Sequence, residues 1–479
     1  MGSQSMRSMQ VDSPWNMALH SVLSAPTAGH STVQAEQALM ELIVDRHNAI
    51  RALRRVRSNN GAPGIDGMTT EELEDLLGSN LDEGWPIIRG QLLDGTYRPQ
   101  PVLRRAIPKP DGGTRTLSIP TVMDRFVQQA VLQVLTPIFE QGFADYCFGY
   151  RPGRAAHNAM KLAREFVSEG YTWVVDIDIE DCFGSINHDM LMARVARRVS
   201  DKRVLKLIRR FLQTGTMAEG VRPTNGKGTA QGGPLSPLLS NIFLSDLDEE
   251  LMRRGHRFVR YADDCNIYVS SWQAGLRVMK SIRRFLREKL EMRLNDSKSR
   301  VCRADEAAFL GFNMARTGDD ITIHPSTTAR RRLVHKIQEI TSPETDQGIN
   351  EMTCRLNAYF RGWAGYYGIA DIADFMARVQ CWTRLRLWRC VGMRWKRGRA
   401  GNGGRPVVIP RQSPETTAPR RTSGVSAADR QESQGTRPLR YWRHHGLEDM
   451  DTLCRTAHLA WQGQIAWSSL RCKRWRAAS

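Results

Sequence analysis

An α+β fold followed by a helical, strongly basic C-terminal part is what the sequence predicts, on three observations. Between residues 99 and 324, short runs of β-branched and aromatic residues alternate with helix-period stretches. From about residue 325 to 396 the strand signals stop, and helical patterns rich in Arg and Trp take over. The charge is also lopsided. The 479 residues carry 69 Lys and Arg against 50 Asp and Glu, and residues 376–479 hold 21 of the cations and only 6 of the acids. A stretch this cationic attracts polyanions, nucleic acid first among them; a solubilising face is the plainer reading of the same numbers.

Residues 1–32, rich in Ser, Met, Ala and Gly without apolar periodicity, are expected to be disordered. From Val33 to Arg57 apolar residues recur at helical spacing (Leu39, Leu42, Ile43, Ile50, Leu53), opening a segment that runs to about residue 98. Turn formers from Asn59 to Gly67 end that helix, and Thr69 with Glu72 caps the next. Residues 102–108 and 115–120 read as two strands around a Lys109–Gly113 hairpin turn. Helices are expected at 124–139, 188–199, 202–214 and 273–293. Strands are expected at 173–179, on both sides of a turn within 258–269, and at 309–312. Residues 325–397 form a helical domain, 398–438 a Gly-, Pro- and Arg-rich linker, and 439–479 a basic helical tail.

Several classes are excluded. No apolar run approaches the roughly 18 residues of a membrane span. The broken apolar stretch Trp15–Leu23 makes a poor secretion signal, and Met6 stands where myristoylation wants a hydroxyl. Nine scattered cysteines contain no C-x-x-C pair, so no zinc-ribbon or zinc nuclease is expected; they read as free thiols of a cytoplasmic protein.

Two acidic sites lie about 85 residues apart. In Val174–Ile179, strand alternation puts Asp176 and Asp178 on one face, and Asp263–Asp264 occupy the turn between two apolar flanks. Carboxylates gathered on a buried sheet repel one another, and a divalent cation relieves that cost. An Asp pair in a turn is otherwise commonplace.

The order of the surrounding motifs is more specific. Asp178…Phe183, then Gly228-Thr229-Ala230-Gln231-Gly232-Gly233-Pro234-Leu235-Ser236-Pro237, then Tyr261-Ala262-Asp263-Asp264 and Phe309-Leu310-Gly311-Phe312 together resemble the reverse transcriptase palm. Ile107-Pro108-Lys109-Pro110-Asp111-Gly112-Gly113…Arg115 and Gly61-Ala62-Pro63-Gly64-Ile65-Asp66-Gly67 narrow the likeness to the bacterial group II intron-encoded reverse transcriptase/maturase family. It extends from about residue 45 to 396.

The resemblance implies a right-hand polymerase: fingers and palm over 99–324, with an antiparallel sheet packed on helices, and a thumb/maturase domain over 325–397. It implies that Asp178, Asp263 and Asp264 are the catalytic, metal-holding carboxylates, with the Ile179 backbone as a further ligand. Two Mg²⁺ ions are expected, with Mn²⁺ able to substitute. Asp176 would be a supporting acid. For the dNTP it implies Lys109 and Arg115 on the triphosphate, Gln231 at the sugar and base, and Phe183 as the steric gate. On residues alone, Phe183 reads as core and the two cations as a surface pair. For nucleic acid it implies Arg151, and Arg361, Arg384, Arg386 and Arg389 in the helical domain. Arg151 also reads as an ordinary turn arginine, and Trp363, Trp382 and Trp388 equally as helix-packing core.

Two departures stand out: Gly184 where the family often has Asp, and no recognisable DNA-binding segment or Cys-pair endonuclease after 396. The implied function is RNA-directed DNA synthesis with splicing assistance. The implied partners are a group II intron RNA template, a DNA or RNA primer, a DNA target and dNTPs, and no membrane; oligomeric state is not legible. The other readings are an RNA-binding maturase with secondary polymerisation, a domesticated relative making other cDNA, and an RNA-dependent RNA polymerase, which Phe183 disfavours.

Overall fold

The computed structural model describes residues 38–462 apart from 79–80, 109–113, 215–226, 230–231, 319, 343, 345–346, 399–441 and 443–445. The N-terminal stretch, nearly all of the linker and the end of the tail therefore lie outside the described residues, as do Lys109 and Gln231. The helices are α1 (Leu39–Ile43), α2 (Arg46–Asn59), α3 (Thr70–Leu77), α4 (Trp85–Leu93), α5 (Val122–Glu140), α6 (Ala156–Ser168), α7 (Cys182–Ser185), α8 (His188–Val195) and α9 (Lys202–Thr214). They continue with α10 (Ser236–Arg253), α11 (Trp272–Lys289), α12 (Thr327–Ile340), α13 (Ile349–Tyr367), α14 (Ala373–Gly398) and α15 (Met450–Trp461). The strands are β1 (Leu103–Pro108), β2 (Thr114–Ile119), β3 (Trp173–Ile177), β4 (Arg257–Tyr261), β5 (Asp264–Val269), β6 (Arg300–Arg303), β7 (Phe312–Thr317) and β8 (Asp320–Pro325). The fold is a mixture of helix and sheet, and no described helix is long and apolar enough to cross a membrane.

The chain divides into two compact units that interleave in sequence. The first draws its described residues from Met1–Arg151, Ile179–Arg253 and Ile282–Leu294, the second from Pro152–Asp178, Arg254–Ser281 and Asn295–Ser479. In the first, the apolar face of α5 (Phe126, Val127, Ala130, Val131) is buried and α2 packs on α5 with Ala49 and Leu53. Asn48, fully buried, satisfies its amide on the Ala130 carbonyl at 3.1 Å. The β1–β2 hairpin is antiparallel, with Leu103 opposite Ile119. Thr69 and Glu72 form the expected capping box.

In the second unit a four-stranded sheet runs β4-β5-β3-β6, every neighbour antiparallel. Its strands are β-branched runs with Val174, Val175, Ile177 and Ile267 buried. One face packs on α11, where an added Cβ on Gly275 would meet Val301 at 2.5 Å. A separate β7–β8 hairpin leads into α12–α14, and α15 packs on α13 and α14.

Three expectations change. The single helix over 33–57 is two helices within the described residues, because the Asp45 carboxylate caps α2 at the His47 and Asn48 amides. The 309–312 strand is instead a tight turn: Leu310 and Gly311 have φ of 52° and 80°, Phe309 and Phe312 form a lone bridge, and the strand starts at Phe312. Strands β6, β7 and β8 and helices α6 and α10 had not been expected.

Candidate active site

The four-stranded sheet gathers the acids at one end. In β3, Asp176 lies opposite Asn266 of β5 and Arg300 of β6. The β3–β5 ladder ends at Ile177↔Cys265. One further step of an antiparallel register sets Asp178 against Asp264, and directly opposed residues have Cβ atoms about 5 Å apart. Asp264 opens β5 opposite Tyr261, so the hairpin turn is Ala262-Asp263, with Ala262 at φ 61°. Alternation and register therefore bring Asp176, Asp178 and Asp264 to one face, with Asp263 in the turn beside them.

Backbone partners fix these positions. The Asp178 amide donates to Ser299 Oγ at 3.1 Å, and its carbonyl accepts the Asn295 amide at 2.9 Å. Beneath the turn, Arg260 is fully buried and donates Nη1 to the Ala262 carbonyl at 2.7 Å. The Leu294–Ser299 segment and Arg260 were missed in the sequence. The run Asn295-Asp296-Ser297 was a turn signal, but nothing marked its target.

The electrostatics are those of uncompensated negative charge. Burial, then Asp263, Asp176 and Asp178, push the Asp264 carboxyl up to about 6. Its side chain is open to solvent, which weakens burial as a cause and leaves the three neighbouring carboxylates as the durable one. Burial, partly offset by Arg300, likewise lifts Asp176 to about 6, and burial with Asp178 raises Asp263. The nearby cations stand off: Lys298 Nζ is 3.6 Å from Asp178 and Arg300 Nε 3.9 Å from Asp176.

A divalent cation suits this end of the sheet in donor type and charge, since hard oxygen donors with raised pKa values are what such an ion stabilises. Among the described residues, however, no three acid, His or Cys side chains already converge on one point. Asp178, Asp263 and Asp264 could hold the ion after rotamer adjustment. Ile179 is buried and bridged to Leu294.

The other expected site residues fare unevenly. Arg115 pairs with Ile107 across the β1–β2 ladder. Phe183 sits half-buried in α7, its carbonyl accepting the Thr229 amide at 2.8 Å. Next to Gln231, Gly232 has φ 134°, and a Cβ there would lie 2.5 Å from the Ser118 carbonyl of β2.

Arg151 is a correction. Its side chain is 3% exposed, it pairs with Glu140 at 2.7 Å, and it donates to the Ala144 and Cys147 carbonyls at 2.6 and 2.7 Å. It therefore holds a turn and has no surface to offer nucleic acid. Three of the helical-domain arginines are also engaged. Arg361 forms an ion pair with Glu448, Arg384 is buried, and Arg386 donates to Thr341 while lying over the Trp382 ring. Arg389 is exposed. Trp363 and Trp382 are buried, as helix-packing core would be.

Comparison with known proteins identifies the family. Residues 107–314 match the family model for reverse transcriptase (RNA-dependent DNA polymerase), and residues 330–405 match that for the group II intron maturase-specific domain. Protein YkfC of Escherichia coli K12 is 32% identical over 321 residues, covering 58% of this chain and 83% of that protein. The group II intron-encoded protein LtrA of Lactococcus lactis subsp. cremoris is 30% identical over 370 residues, covering 62% of this chain and 59% of LtrA. Apo telomerase from Candida tropicalis superposes with a TM-score of 0.40 at 11% identity over 56% of this chain and 57% of that one, too loosely to add weight. Reverse transcriptases generally use divalent metal ions, as the acid cluster would require. With its polymerase region followed by a maturase-specific region, the chain belongs to the group II intron-encoded reverse transcriptase/maturase family.

Proposed function

We propose that the chain extends a primer 3′ end with dNTPs on an RNA template, using two Mg²⁺ ions held by Asp178, Asp263 and Asp264, and that it binds a group II intron RNA to assist splicing. The observation that carries this reading is the meeting of the two acidic sites at adjacent strand ends, one step beyond the last β3–β5 pair, Ile177↔Cys265. The ions, when bound, would activate the 3′-hydroxyl and stabilise charge on the departing pyrophosphate. The chain's own residues hold and orient. The three carboxylates fix the reacting end, with Asp176 behind them. Lys109 and Arg115 neutralise the triphosphate. Phe183 excludes a 2′-hydroxyl, and Gln231 meets the sugar and base.

On this reading residues 99–324 are fingers and palm, 325–397 the thumb, and the exposed Arg389 with the basic tail the RNA-facing charge. Primer extension on an RNA template with Mg²⁺, comparing dNTPs with rNTPs, tests the reading. Extension from dNTPs only, falling at least about a thousandfold in Asp263→Ala with RNA affinity unchanged, is expected. RNA binding without extension in the wild type would leave only the maturase reading.

A further inference from the structure

A steric gate works only if its ring is held firmly relative to the sugar it excludes, because a misplacement of about 1 Å is enough to lose discrimination. Phe183 stands on α7, a helix of four residues that cannot supply such rigidity alone. What holds it is a short antiparallel partner, Lys227–Thr229, laid along Phe183–Asn187. The Thr229 amide donates to the Phe183 carbonyl and the Gly228 amide to the Ile186 carbonyl, both at 2.8 Å. Asn187 and Lys227 form a bridge, and both side chains reach Glu291 Oε2, at 3.2 and 3.0 Å.

The two backbones touch. Gly228 has φ 99°, and a Cβ there would stand 3.2 Å from the Gly184 carbonyl. A Cβ on Gly184 would meet the Asp181 carboxylate at 2.0 Å. Any side chain at 184 would thus require the exposed Asp181 carboxylate to turn aside. Across the clamp lies His188. It is 3% exposed, with Nε2 2.6 Å from the Gly228 carbonyl. A carbonyl only accepts, so Nε2 carries the hydrogen.

We propose that His188 is a positioning residue for the sugar pocket: by tying Gly228 to the Phe183 turn, it fixes the place of Phe183, and thereby the preference for deoxyribonucleotides over ribonucleotides. The inference rests on the polymerase reading. No substrate atom touches His188; it acts through the backbone it fixes.

The test compares His188→Gln with His188→Asn in the full chain. The Gln amide reaches the position of Nε2, and the Asn amide falls short. Single-nucleotide incorporation on an RNA template with Mg²⁺ gives kcat/KM for a dNTP and for the matching rNTP, with melting temperatures measured alongside. The expected result is a dNTP-to-rNTP ratio reduced about tenfold or more in His188→Asn and restored to within about threefold of wild type in His188→Gln. Equal ratios in the two variants, at whatever melting temperature, would overturn the proposal while leaving the polymerase reading standing. A wild-type chain that incorporates neither nucleotide overturns the polymerase reading, and this inference falls with it.

Discussion

Asp176 and Asp264 each have a carboxyl pushed up to about 6 in the fold, against an ordinary value of 3.8. A carboxyl raised on folding favours the native state in its protonated form. That contribution is complete below about 3.8 and is lost as pH rises through about 6. In metal-free buffer, Asp176→Asn should therefore melt a few degrees above wild type at pH 7.5 and level with it near pH 4. Adding Mg²⁺ should raise the wild-type melting temperature more at pH 7.5 than at pH 5, because a cation competes with protons for these oxygens. Calorimetry at pH 4, 5 and 7.5 checks both outcomes, and a metal effect independent of pH would contradict the electrostatic account. Arg151→Ala should cost about 3–5 kcal/mol in urea unfolding by leaving Glu140 and two carbonyls without their buried partner, while RNA affinity of the folded variant stays unchanged. The shared face of Asp176 and Asp178 was legible because a period of two is written directly in Val174–Ile179, whereas Asp264, expected in the turn, instead opens β5 opposite Tyr261. Arg151 was misread because the burial of a charge depends on Glu140 and two carbonyls that gather only in the folded turn.

Legibility of the secondary elements followed amphipathicity. β1, β2, β3, α2, α3 and α9 declare themselves by alternation, caps or an apolar stripe. α10 does not, because Leu238 to Leu244 are buried at every position and a helix buried all round has no polar face to set a period. β6 is four residues long with arginine at both ends, and β7–β8 interleave polar residues too freely to read as sheet. At Gly232, beside Gln231, the backbone comes against Ser118 of β2. Gly232→Ala adds a Cβ at a positive φ, 2.5 Å from a carbonyl, so β2 or the segment must move. Primer extension should fall at least about tenfold, with a melting loss of a few degrees. Activity within twofold of wild type would show that the segment can shift without consequence.

For the whole molecule, the charge imbalance pointed to a nucleic-acid partner, and the maturase-specific match fits that sign. The place of the C-terminal tail was not legible. Its anchor is a surface made jointly by α13 and α14, which no local pattern announces. Trp442 is buried, the Gly446 carbonyl accepts from Asn357, the Glu448 amide donates back to Asn357 Oδ1, and Glu448 takes the Arg361 guanidinium. Two groups of the helical domain, one of them expected at RNA, are thereby spent within the chain. α15 then closes against Gly368, where an added Cβ would lie 2.3 Å from Ala457.

Gly398 at the end of α14 and Trp442 at the start of the tail's anchor both belong to the second unit. The contacts at Asn357, Arg361 and Gly368 should therefore keep the tail seated when the connection between these two points is cut. A protease site engineered within it and cut to completion should give two fragments that travel as one species in native size-exclusion chromatography and separate only in denaturant.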